Sequence, residues 1–237
     1  MAEWKARRFW KSATVRPSDA GFEVALDDRP LRTPGKQPLH LPTQALAQAV
    51  AREWDAQDGV IDPNTMPLTR AANSAIEKVA PQFAAVADML AEYGGTDLLC
   101  YRAGAPAVLV DQQAAGWQPL LDWARDALGA DLAVTTGMMP VAQDPAALAR
   151  LRAHVHALDV FGLTALHDLV TLPGSLVLGL AVIHGRLDAD SAHELSRIDE
   201  AFQASQWGED AEASAAAAAR LVALRDAARF WTLSRPA

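Results

Sequence analysis

The sequence predicts an α+β protein, with a small N-terminal antiparallel β-meander with helices followed by a mainly α-helical C-terminal bundle. Three observations carry this expectation. Residues 4–41 alternate with period two between turn signals, whereas beyond Pro81 the apolar residues recur at i, i+3 and i+4. The last segment contains Ala215 to Ala219, a run that favours helix and permits close helix packing.

Taken in order, Phe22, Val24 and Leu26 alternate with Glu23 and Ala25, and Asp27-Asp28-Arg29 makes a polar turn before Leu31. Pro34-Gly35 marks a second turn, followed by Leu39 and Leu41. Pro42-Thr43 then opens a helix with Thr43 as its N-cap; Leu46, Ala49, Val50 and Trp54 follow at helical spacing, and Asp58-Gly59 closes it. Pro63 and Pro67 interrupt the chain before a second helix from about 68 to 79. Phe83, Val86, Met89, Leu90 and Tyr93 define a third, stopped by Gly94-Gly95. Residues 98–101 read as a short strand or a helical turn, and 132–141 as extended. Further helices are predicted at 107–128, 144–160, 163–172, 175–185, 190–206 and 210–233. The expected domains are 1–80, an N-terminal α+β domain, and 81–237, a C-terminal helical domain.

Composition narrows the function classes. With 237 residues, 51% of them hydrophobic, the chain can bury a sizeable core. A net charge of -8 argues against binding a phosphate backbone, although Lys5, Arg7, Arg8 and Lys11 form a local basic cluster. The single cysteine, Cys100, excludes an internal disulfide framework and fits a reducing compartment. MAEWKARRFWKS lacks the apolar stretch of a secretory signal, and the apolar window 169–183 is too short to span a membrane. The cell interior is therefore expected.

Candidate chemistry is sparse. His154 and His156 diverge on a helix instead of sharing a face, and His40, His167, His184 and His193 are scattered, so solvated or capping histidines are expected rather than a metal site. Cys100 reads as a small buried hydrophobe or, with a histidine folded beside it, a nucleophile. Pro173-Gly174-Ser175 lacks the flanking glycines of a nucleophile elbow, and no phosphate loop of known pattern is present. Trp4 and Trp10 are placed to cover a sheet or staple the N-terminus.

The acidic stretch 199–212 has more to offer. Glu209 and Asp210 are placed to cap the final helix. Trp207, rimmed by Glu200, Gln203, Gln206 and Glu212, has the character of an anchor for a basic partner surface; a solvated acidic face is the plainer reading. Paired carboxylates in 199–212, or Cys100, would serve a small cytosolic hydrolase or transferase as the alternative function.

Four ordered blocks carry a resemblance. DDRPLRTPGKQPLHLPTQALAQAVAREWDAQDGVIDPNTMPLTRAANSAIEKV, TDLLCYRA, LHDLVTLPGSLVLGLAV and LSRIDEAFQASQWGEDAEA are similar to the assembly chaperones for the F-type ATPase alpha subunit, the ATP-twelve family. The resemblance implies a two-domain protein that is no enzyme and needs no cofactor. It would bind the free alpha subunit and shield the surface that later meets beta. It further implies a role for the acidic segment, so the partner-binding residues expected are Glu200, Gln203, Trp207, Asp210 and Glu212. A monomer with no nucleic-acid partner and no membrane insertion is expected, bacterial and cytoplasmic, or in the mitochondrial matrix if eukaryotic.

Overall fold

The computed structural model describes residues 7–137 and 139–236, so the roles expected of Trp4 and Lys5 lie outside the described residues. Two compact units emerge. Among the described residues, one comprises 7–83, joined by Val160–Thr164 and 229–236; the other comprises Ala84–Asp159 and Ala165–Ala228.

The first unit is built on a four-stranded antiparallel sheet, the meander expected from the alternation. Strands β1 (Ala13–Ser18) and β2 (Gly21–Leu26) pair in register, with Val15 opposite Val24. Strands β3 (Arg29–Pro30) and β4 (His40–Leu41) pair along the other edge of β2, which places β2 in the centre. Ala25, read as the outward partner of Val24, is buried too, so both faces of β2 are covered there. Asp27 turns the hairpin at φ 54°, a conformation that aspartate tolerates, and its carboxylate accepts the Lys11 and Ser12 amides at 3.0 and 3.1 Å. Helix α1 (Gln44–Asp55) packs on β1 and β2 through Leu46, Ala47 and Val50. Its N-cap is Thr43, whose Oγ1 accepts the Leu46 amide at 3.1 Å.

Polar groups between α1 and α2 (Pro67–Ser74) are spent on joining these elements. Glu53 accepts the amides of Leu68 and Thr69, each at 2.8 Å, and the Thr69 hydroxyl at 2.6 Å, so one carboxylate caps α2 from α1. Gln57 accepts the Asp62 amide at 2.8 Å and donates to Thr65 at 3.0 Å. Arg8 is no surface cation: its guanidinium donates to the carbonyls of Asp55, Gln57, Trp10 and Lys11. Trp10, 3% exposed, meets Trp54 edge-on at 5.2 Å, which supplies the staple expected of it. The density of turn and cap signals from Arg29 to Val79 is thus explained largely by internal joints.

The second unit is helical. Helix α3 (Phe83–Glu92) is followed by a helical turn at Leu98–Cys100 and by β5 (Tyr101–Arg102), so both readings of 98–101 occur in succession. Helix α4 (Ala107–Leu128) crosses the unit, and the extended stretch after it supplies β6 (Thr135–Thr136), parallel to β5. Helices α5 (Pro145–His156) and α6 (Val160–Thr171) follow. The break between them falls at 157–159, earlier than expected, because Leu158 bonds back to Val155 and closes α5. Helix α7 (Leu176–Ile183) is buried at every position. The single helix expected at 190–206 is two, α8 (Ala189–Ser196) and α9 (Ile198–Trp207). Arg197 adopts φ -116° and ψ 17° between them, and the Ser196 hydroxyl bonds back to the His193 carbonyl at 2.8 Å. Helix α10 (Ala211–Ser234) closes the chain.

Asp97 ties two of these segments together. Its carboxylate accepts the Ser175 hydroxyl at 2.8 Å and the amides of Val177 at 2.9 Å and Leu99 at 3.1 Å. Ser175 in turn caps α7, accepting the Leu178 amide at 3.0 Å. Its hydroxyl is therefore buried and engaged.

Candidate partner-binding surface

Helix α4 is the platform that positions the acidic segment. The Trp117 indole donates to the Leu195 carbonyl at 2.8 Å, which holds the end of α8. Arg102 lies over the other side of that ring, 5.2 Å from its centroid. One turn back, the Gln113 amide donates to Asp199, and its oxygen accepts the Ala103 amide at 2.7 Å. Gly116 faces the same junction: a Cβ there would lie 2.8 Å from the Ile198 side chain and 2.9 Å from that of Leu195. The start of α9 is thereby fixed against α4, and Asp199 contributes a structural tie that the sequence reading left unassigned.

Three of the five expected contact residues share a face of α9. Glu200, Gln203 and Trp207 stand at i, i+3 and i+7, so their side chains line up along the helix. Trp207 is 76% exposed, an unusual state for so large an apolar side chain. Gly208, at φ 92°, ends α9 immediately after it. Asp210 and Glu212 then open α10. Asp210 is the N-cap, accepting the Ala213 amide at 2.7 Å, so of the two residues expected to cap this helix, Glu209 and Asp210, the cap is Asp210. Ala211 to Ala216 are all exposed, so this end of α10 presents small side chains beside carboxylates.

Glu200 differs from its neighbours. It accepts from Arg197 Nε at 2.8 Å and from Arg220 Nη2 at 3.2 Å, forming an ion triad between the start of α9 and the middle of α10. Arg197 was legible as an i, i+3 partner of Glu200; Arg220, twenty residues on, was not. Two more ties seat α10 on α8. His193 Nε2 lies 3.0 Å from the Ala217 carbonyl, and burial lowers its pKa, so the neutral ring donates there. Asp190 pairs with Arg225, whose Nε lies 3.1 Å from the carboxylate.

The other candidates for chemistry are occupied. Cys100 is fully buried, and burial together with the Asp97 charge pushes its thiol up to about 12, the opposite of an activated nucleophile. His156 pairs with Asp88 at 2.6 Å, His167 with Asp168 at 2.8 Å, and His40 with the Ser18 hydroxyl at 3.2 Å. His154 and His184 contact edge to face. Among the described residues no group of three metal-ligating side chains converges, and no helix is long and apolar enough to cross a membrane.

Comparison with known proteins gives consistent results. Residues 7–125 match the profile of the ATP12 chaperone protein family. The structure superimposes on the crystal structure of Atp12 from Paracoccus denitrificans with a TM-score of 0.96 and 67% identity, covering 98% of this chain and 100% of that one. It also matches Atu1473, described as a putative chaperone from Agrobacterium tumefaciens, with a TM-score of 0.92 and 40% identity over 97% of this chain and 86% of the other. A mitochondrial atp12 protein of Schizosaccharomyces pombe is 25% identical over 216 residues, 85% of this chain and 74% of that protein.

Proposed function

Since this chain belongs to the ATP12 chaperone protein family, we propose that it is an assembly chaperone of the F-type ATPase catalytic headpiece and that its client is the free alpha subunit. It holds that subunit, covers the face destined for beta, and carries out no chemical turnover. It acts in the bacterial cytoplasm or, in a eukaryote, in the mitochondrial matrix. The alpha subunit enters through the resemblance of the four sequence blocks; kinship with named Atp12 proteins supports a chaperone of this assembly. The physical logic agrees. An unassembled ring subunit exposes apolar interface, which aggregates unless a transient partner covers it.

The observation that carries the choice of surface is Trp207, 76% exposed at the end of a helix whose start is tied to α4. An exposed indole on a helix face that it shares with Gln203 and Glu200 matches the anatomy of an interface anchor and its polar rim. Gln203, Trp207 and Glu212 are the contact residues in this reading. Glu200 and Asp210 shape the surface through the ion triad and the helix cap, so changing them also disturbs local structure.

The test uses isolated alpha subunit. The chaperone is expected to suppress its aggregation and to co-elute with it, and Trp207→Ala is expected to weaken the complex by roughly tenfold or more at unchanged melting temperature. Full affinity in Trp207→Ala would move the interface elsewhere. Neither suppression nor co-elution with properly folded alpha would remove the client assignment.

A further inference from the structure

Beside the acidic surface, the second unit holds a cavity of about 170 Å³ whose lining combines two chemistries. Leu98, Leu172, Pro173 and Leu224 give it apolar walls, His193 and Ser196 line it as well, and Arg197 and Arg220 bring two guanidiniums against the single carboxylate of Glu200. Its size is comparable to the roughly 150 Å³ apolar cavities that accept a benzene ring. A cleft that sets convergent polar groups against apolar walls is a form that small-ligand sites take.

Glu200 uses only part of what the arginines offer. Arg197 engages it through Nε alone, and Arg220 through Nη2 alone, at 3.2 and 3.5 Å to the two oxygens. Arg220 Nε is buried and has no acceptor. A guanidinium offers five N–H donors in a planar fork suited to bidentate carboxylate recognition, and leaving one buried without a partner is costly. The excess positive charge and the adjoining apolar walls match a carboxylate carried on a short branched aliphatic group.

We propose that this cavity binds an aliphatic carboxylate, its head taken by Arg197 and Arg220 and its tail by Leu98, Leu172, Pro173 and Leu224, with Glu200 acting as the internal competitor that the ligand displaces. A free short-chain acid and the terminal carboxylate of a peptide ending in an aliphatic residue share this chemistry. The proposal does not depend on the chaperone reading, because it concerns the purified chain alone.

The experiment titrates the full-length chain with 4-methylpentanoate, with its neutral amide, and with a short leucine-terminated peptide in free and amidated forms. Methyl NMR of Leu98, Leu172 and Leu224 is the readout. The free acid is expected to bind saturably with Kd on the order of 1 mM. Arg220→Gln is expected to weaken binding about tenfold. Glu200→Gln, which removes the competitor, is expected to tighten it severalfold, a gain that a merely structural triad does not produce. Tighter binding of the free-ended peptide than of the acid would identify a chain terminus as the source, and the reverse a small metabolite. Equal binding of acid and amide, equal affinity in all three proteins, or no saturable shift even in folded Glu200→Gln would each overturn the proposal. Arg220→Lys keeps the charge but loses Nε, and controls for misfolding of the glutamine variant.

Discussion

Asp97 is fully buried, yet three donors converge on it from the start of α7 and from the turn that follows it in sequence. Removal from water opposes ionisation more strongly than those bonds favour it, and its pKa is pushed up to about 6. The sign of the consequence follows from linkage. Between the unfolded value near 4 and the folded value near 6, the folded state holds a proton that the unfolded state has lost. This group's contribution is therefore fully present below the unfolded value and disappears as pH rises through the folded one. The ionised form costs about 3 kcal/mol relative to the protonated one, on the order of 1.4 kcal/mol per pKa unit. Asp97→Asn keeps an acceptor without titrating. The stability of wild type relative to this variant, from denaturant melts at pH 4, 5, 6 and 7, is expected to fall between pH 4 and 6 and to level off above. A flat difference would show that the hydrogen bonds, not burial, decide the ionisation.

Among the elements, α9 and the first turns of α10 contrast in how they are held. The start of α9 is bound by Gln113 to Asp199 and by the Arg197–Glu200–Arg220 triad, and the end of α8 just before it by Trp117 to Leu195. The start of α10 stands exposed from Ala211 to Ala216, and among the described residues its side-chain support there is the Asp210 cap, until His193 reaches Ala217. An alanine run sustains a helix with little tertiary help because its propensity is the highest available. Loss of the cap is then felt locally. Asp210→Ala is expected to cost about 1 kcal/mol, to lower the melting temperature by a few degrees, and to speed amide exchange at 211–216 while leaving α9 unchanged. Exchange that stays slow there would mean that packing, not the cap, holds the turn. The α8–α9 break was illegible because nothing in HELSRIDEAF departs from helical spacing. At the break the two pieces dock on α4, Leu195 through Trp117 and Ile198 beside Gly116, contacts far away in the sequence.

At the scale of the whole molecule, the proposed function is exchange driven by mass action. A chaperone that covers the alpha face is expected to yield when beta offers a larger and better-fitting interface, without nucleotide hydrolysis. Adding purified beta to the preformed complex is expected to release free chaperone on gel filtration in proportion to beta added, with and without ATP. Retention of all three chains in one particle would replace exchange by a ternary intermediate.

Sequence alone determined the β-meander followed by helices, the Thr43 and Asp210 caps and the family kinship, because periodicity, turn residues and caps act within a few positions of one another. It also carried the exposure of Trp207, since a large aromatic at a Gly-terminated helix end among carboxylates had no local core to join. Tertiary structure alone decided the rest. It gathered Val160–Thr164 and the chain from Arg229 into the first unit, where Phe161 meets Phe230. It also buried Asp97 against Ser175 and brought Arg220 to Glu200. Those partners lie 20 to 78 positions apart in the chain, and no local periodicity encodes which distant charges and caps will meet.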